Sequence, residues 1–172
     1  MKRFISFTTI LALLIMSGAA CGSKDLDDIV VKEDTTEGNK DQSEQQNFYT
    51  MNITVNGKTL SATMVDNSST KALKQLLEEG DITYTAHDYG DFEKVGNIGH
   101  TLPQNNEQIT TEVGDIILYQ GNNICLYYDR NEWNFTRLGK INGITQSELK
   151  SFLDAGGEDI TVTLSLGASG NS

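Results

Sequence analysis

Val113-Gly114-Asp115-Ile116-Ile117-Leu118-Tyr119-Gln120-Gly121-Asn122-Asn123-Ile124-Cys125-Leu126-Tyr127-Tyr128 is the stretch that decides the fold. Val113-Gly114-Asp115 reads as a turn and Ile116 to Tyr119 as a strand. Gly121, Asn122 and Asn123 reverse the chain, and Ile124 to Tyr128 returns. Neither strand alternates apolar with polar residues. Both faces therefore need cover, which places the pair inside a sheet rather than at its edge.

Working outward, Asp129 to Glu132 is a turn that leads into a strand over Trp133 to Leu138. Thr145 and Glu148 form a capping box for a short helix whose apolar face is Leu149, Phe152 and Leu153, with Gly156-Gly157 as its stop. Ile160, Val162, Leu164 and Leu166 alternate in a last strand. Upstream, Tyr49, Met51, Ile53 and Val55 share one face of a strand. Asn56-Gly57 is a type I′ hairpin signal, and Leu60, Ala62 and Met64 continue the partner strand. Asn67, Ser68 and Ser69 are N-cap candidates for a helix that buries Ala72, Leu73, Leu76 and Leu77 and stops at Gly80. Ile82 to Ala86 reads as a strand, and residues 88–99, with three glycines, as a shaped loop. The pattern predicts a mainly β fold: roughly eight strands in a closed or nearly closed antiparallel barrel, with two short capping helices.

The barrel does not use the whole chain. Of 172 residues, Lys2 and Arg3 followed by an apolar run to Met16 predict a secretory signal over residues 1–20, too short for a membrane span. Ser17-Gly18-Ala19-Ala20-Cys21 resembles the lipobox of bacterial lipoproteins, with Gly18 where that motif has a larger aliphatic. The resemblance implies acylation of Cys21 and a lipid-bilayer anchor on the extracytoplasmic side of the cell envelope. Plain cleavage after Ala20, leaving a free thiol, is the alternative. Residues 21–47 hold no aromatic residue, and 8 acids against 3 bases predict a disordered tether. Its coil reach is about 25–30 Å. The acidic stretch behind Ser23 also resembles lipoprotein surface-export signals, though a solvated linker suffices. Residues 48–172 make the barrel domain.

A formal charge of −11 excludes nucleic acid as a partner, because phosphate binding needs a basic footprint. Two cysteines and two histidines give no disulfide framework and no zinc spacing, so neither metal nor cofactor is expected. No nucleophile elbow, phosphate loop or HExxH motif occurs. A monomer is expected.

Three stretches carry a resemblance over about residues 50–166. They are Asp88-Tyr89-Gly90-Asp91-Phe92-Glu93-Lys94-Val95-Gly96, then Thr111 to Asn122, then Trp133 with Thr136-Arg137-Leu138-Gly139-Lys140-Ile141. In this order they resemble the bacterial cyclophilin-like domain family, which implies the cyclophilin-type eight-stranded barrel with two helices. Cyclophilins proper are peptidyl-prolyl isomerases whose active face uses an arginine, a Phe-Met-x-Gln run, a tryptophan and a histidine. Here Arg137 is followed by Leu138-Gly139-Lys140-Ile141, so the isomerase signature is absent. The leading expectation is a non-enzymatic module that binds a peptide or small molecule beside the barrel. Prolyl isomerisation with Arg137 as its guanidinium is the alternative, and a purely structural interaction module the third.

The ligand-binding candidates are Arg137, Trp133, Phe135, Tyr89, Phe92, Glu93, Tyr119 and Tyr128. Trp133, Phe135 and Arg137 share a strand face by alternation. Arg137 either meets a ligand or pairs with a carboxylate such as Glu93 or Asp115. The aromatic residues, Tyr127 among them, suit either a groove or core packing. Glu93 reads as an acid or base, or more simply as a solvated charge. Arg130 reads as a solvated turn residue and Cys125 as a small buried hydrophobe.

Overall fold

The computed structural model describes residues 49–167. The signal segment, Cys21 and the tether lie outside the described residues. Nine strands and two helices follow in the order β1 Tyr49–Val55, β2 Lys58–Met64, α1 Ser68–Glu79, β3 Ile82–Tyr89, β4 Glu93–Asn97, β5 Glu107–Thr110, β6 Asp115–Tyr119, β7 Asn123–Tyr127, β8 Glu132–Ile141, α2 Gln146–Phe152 and β9 Ile160–Leu166.

Eight of them close an antiparallel barrel in the order β2-β1-β9-β3-β4-β7-β6-β8, and β8 returns to β2. The seam pairs Ala62 with Ile141, Thr63 with Lys140 and Met64 with Gly139. Gly139 is needed there: a Cβ would run into the Thr63 carbonyl oxygen and stand 2.8 Å from Met64 Sδ. At the first hairpin, Asn56 (φ 49°) and Gly57 (φ 74°) take the left-handed conformations that a type I′ turn requires.

The long strand β8 does two jobs. Its C-terminal half closes the barrel, while its N-terminal half pairs with β5, Trp133 opposite Ile109 and Phe135 opposite Glu107. Strand β5 is therefore a ninth strand laid beside the barrel. The loop expected over residues 88–99 is corrected too: β3 runs on to Tyr89 and β4 occupies Glu93–Asn97. Charge hid the second of these strands, because Glu93 and Lys94 are both buried but on opposite faces.

Two apolar clusters result. The barrel interior holds Met51, Ile53, Ile116, Leu118, Ile124, Leu126, Val162 and Leu164, joined by Leu73 and Leu77 of α1, by Leu149 of α2 and by Leu153 at its C-cap. The second cluster, Ile109, Ile117, Cys125, Tyr127 and Phe135, covers the outer face of the same sheet. Strands β6 and β7 are thus apolar on both sides because each side has its own core.

Both helices start as expected, each with a capping box, Asn67 with Thr70 and Thr145 with Glu148. Helix α2 ends earlier than expected, at Phe152, and Gly156 serves the following turn with φ 78°. No helix among the described residues is long and apolar enough to cross a membrane.

Candidate functional site: an aromatic cleft around a buried carboxyl

The segment Asp88–Val95 splits its side chains between the two faces of the barrel wall. Lys94 pairs in register with Leu126, an interior residue, and with Asp88. Lys94 is fully buried; its Nζ lies 2.7 Å from Asp88 Oδ2 and donates to the Glu158 carbonyl at 2.9 Å. Asp88 also accepts from Tyr128 Oη and from the Gly156 amide, both at 2.8 Å. Burial alone would raise the Asp88 pKa, but the hydrogen bonds from Lys94, Tyr128 and Gly156 outweigh it and hold the carboxyl below its ordinary value. This network locks the hairpin of β3 and β4 to the turn before β9.

The alternate residues face outward. Tyr89, Glu93 and Tyr127 form one row across β3, β4 and β7. With Phe92, Val95, Tyr119, Asn131, Trp133 and Phe135 they line a cleft of about 300 Å³. Its rings touch in sequence: Tyr89 edge-on to Phe92 (6.0 Å between centroids), Phe92 stacked on Tyr127 (5.9 Å), Tyr127 against Phe135 (5.8 Å), Phe135 edge-on to Tyr119 (6.2 Å). Tyr89 is 62% exposed, Trp133 61% and Tyr119 37%, and these are the exposed large hydrophobic residues of the described chain. All three stand at this one cleft, and clustering of this kind marks interaction sites more than scattered surface apolar residues do.

Glu93 sits among these rings. It is 5% exposed, where a solvated charge was the simpler expectation, and its Oε2 is buried with no hydrogen-bond partner among the described residues. Burial raises its pKa, and the nearby Tyr127 hydroxyl, the Cys125 thiol and, more weakly, His87 pull the other way without cancelling that rise. The Cys125 thiol is pushed well up by burial and by Glu93, which makes it a poor nucleophile. No second carboxyl lines the cleft, and no three His, Cys, Asp or Glu side chains converge as metal ligands among the described residues.

A raised carboxyl pKa has a sign for stability. Between the ordinary value of 4.5 and the raised one, the native state holds a proton that the unfolded chain has lost, so stability falls as pH rises through that window. Glu93→Gln is therefore expected to melt higher than the wild type at neutral pH. The gap should close as pH falls towards 4.5. Thermal melts of both proteins from pH 4 to 8 check this; a Glu93→Gln protein that melts lower at pH 7 contradicts it.

Of the eight candidate residues, the fold brings six to the cleft: Tyr89, Phe92, Glu93, Tyr119, Trp133 and Phe135. Two go elsewhere. Tyr128 belongs to the interior cluster and donates to Asp88, because the outward position falls to its neighbour Tyr127. Arg137 shares the outer face but lies in the next row, opposite Ile117, with Nη1 2.6 Å from the buried Asp115 Oδ1. Of its two anticipated partners it takes Asp115, not Glu93. Val95 and Asn131 were not anticipated. Alternation from Glu93 would have found Val95, whereas Asn131 reaches the cleft only through turn geometry, its Nδ2 donating to Tyr127 Oη at 3.4 Å.

A larger groove of about 610 Å³ lies between β2 and α2, lined by Lys58, Leu60, Ile144, Glu148 and Phe152 among others. Its acid, Glu148, is committed to the α2 cap through Thr145, and Phe152 is its one ring. The aromatic cleft is the better site despite its smaller volume.

The family model of the cyclophilin-like family matches residues 53–165. Among solved structures, the hypothetical protein AF2241 from Archaeoglobus fulgidus is similar, at 16% identity over 73% of this chain and 99% of that one, with a TM-score of 0.52. McbB in complex with tryptophan is also similar, at 14% identity over 71% of this chain and 46% of that one, with a TM-score of 0.49. No curated protein matches the chain. Since the family match runs from the first strand of the closed barrel to the last, the chain belongs to the cyclophilin-like family.

Proposed function

We propose that this protein is an extracytoplasmic binding module, held to the bilayer by an acylated Cys21 and an acidic tether, that takes a peptide segment or small molecule into the aromatic cleft without transforming it. The carrying observation is that Tyr89, Tyr119 and Trp133, the exposed large hydrophobics of the described chain, converge on one preformed cavity. At about 300 Å³ it stands at the small end of ligand sites, the size for one or two side chains or a small ring. Binding is favoured over prolyl isomerisation by the placement of Arg137. Its guanidinium is held by Asp115 and does not line the cleft, where it would have to reach a twisting amide.

Trp133 is the single tryptophan of the chain, so its emission reports on the cleft directly. A panel of short blocked peptides with central prolyl, aromatic or basic residues is expected to include ligands that change it saturably. Tyr89→Ala, an exposed position, is expected to weaken that response several-fold. A panel with no saturable member contradicts the reading. Acceleration of X-Pro isomerisation that disappears in Arg137→Ala would overturn its non-enzymatic part. The anchor is tested separately: Cys21→Ala should move the protein from the membrane to the soluble fraction, and retention would refute acylation there.

A further inference from the structure

We infer that the cleft selects a weakly hydrated organic cation, a guanidinium or alkylated ammonium, with its charge against Glu93 and its faces against the surrounding rings. This deepens the binding reading and rests on it.

Glu93 is the one charged side chain lining the cleft, and its Oε2 is buried and unpartnered among the described residues. The Tyr127 hydroxyl and the Cys125 thiol reach the carboxyl, but neither brings a positive charge, so the ionised group lacks a counter-cation that a ligand would supply. The lysine and arginine nearest in sequence or on the same face are engaged elsewhere, and His87, outward on β3 opposite Val95, is exposed and does not line the cleft. Lys94 is turned to the barrel interior by Asp88 and the Glu158 carbonyl, and Arg137 is held by Asp115. No lysine or arginine stands among the lining residues to repel an incoming cation.

The walls suit the same chemistry. Aromatic faces attract cations, most strongly those that shed water easily, and a guanidinium is both flat and weakly hydrated. Exposed Tyr89 and Trp133 stand at the cleft with Phe92 and Tyr127, so an entering cation meets ring carbon before carboxylate. The net charge of −11 adds a long-range attraction of the right sign.

Acetyl-arginine-amide and acetyl-citrulline-amide have nearly the same shape and differ in charge. Titrated into the full-length protein with Trp133 emission as readout, the arginine compound is expected to bind about tenfold tighter or more. Glu93→Gln is expected to erase that preference, while the comparison of the two ligands on the wild type needs no variant. Ethylguanidinium separates the sources. Affinity equal to that of the arginine compound supports a free small cation, and affinity tenfold weaker supports a basic side chain presented by a peptide. Equal binding of arginine and citrulline compounds, or binding of neutral peptides alone, overturns the inference and leaves the binding reading standing. No saturable response to any cationic or neutral ligand overturns both.

Discussion

Replacing Lys94 by alanine is expected to cost the domain about 3–5 kcal/mol, because it leaves the Asp88 carboxyl without its cation inside the barrel wall. That is a large fraction of the about 5–15 kcal/mol that holds a typical domain folded. Lys94 is fully buried, and its ammonium is split between Asp88 and the Glu158 carbonyl; Asp88 is 18% exposed, so water reaches one edge of the pair and the loss falls at the lower end of that range. Urea unfolding of the wild type and Lys94→Ala measures the loss; a change below about 1 kcal/mol, the net scale of one ordinary hydrogen bond, contradicts it. Asp88→Asn probes the other half. The folded Asp88 pKa lies below its ordinary 3.8, so the pair's stabilisation is fully present above that value and fades as pH falls beneath it. The Asp88→Asn penalty should therefore shrink in acid. Because the network fixes the hairpin that carries Tyr89, Phe92 and Glu93, partly unfolded Lys94 variants should also lose cleft binding.

Arg137→Ala is expected to destabilise by about 2–3 kcal/mol, through the buried charge it abandons rather than through any ligand. Asp115 is fully buried, with Oδ2 accepting from the Glu112 amide at 2.9 Å and Oδ1 facing Arg137. The effect is smaller than at Lys94 because Lys140 stands 3.7 Å from the same Oδ1 and takes up part of the charge. The folded fraction of Arg137→Ala should bind cleft ligands with wild-type affinity. Loss of binding at unchanged stability would return Arg137 to the site.

These two predictions concern residues that the sequence could not place. The doubly apolar run from Ile116 to Tyr128 disclosed a central pair of strands because two cores flank it, and Asn56-Gly57 disclosed its hairpin because few other pairs tolerate two positive φ angles. The strand Glu93–Asn97 stayed hidden for a physical reason. Its consecutive charged residues are both buried, one in an interior ion pair and one in an outer cleft, and apolar alternation detects neither. Strand β5 contributes only Ile109 to a core, too little pattern to read. Consecutive tyrosines 127 and 128 look equivalent in the sequence; strand register sends one to the cleft and the other to Asp88. Arg137 offered two acceptable partners, and only the ladder position opposite Ile117 decides between them.

Amide chemical-shift mapping of the full-length protein shows where on the barrel a ligand sits. Addition of the panel ligand that most changes Trp133 emission should shift a contiguous set of amides around Tyr89, Phe92, Glu93, Tyr119, Trp133 and Phe135. Shifts centred instead on Lys58–Leu60 and Ile144–Phe152, along the larger groove, would rule out the aromatic cleft as the binding site.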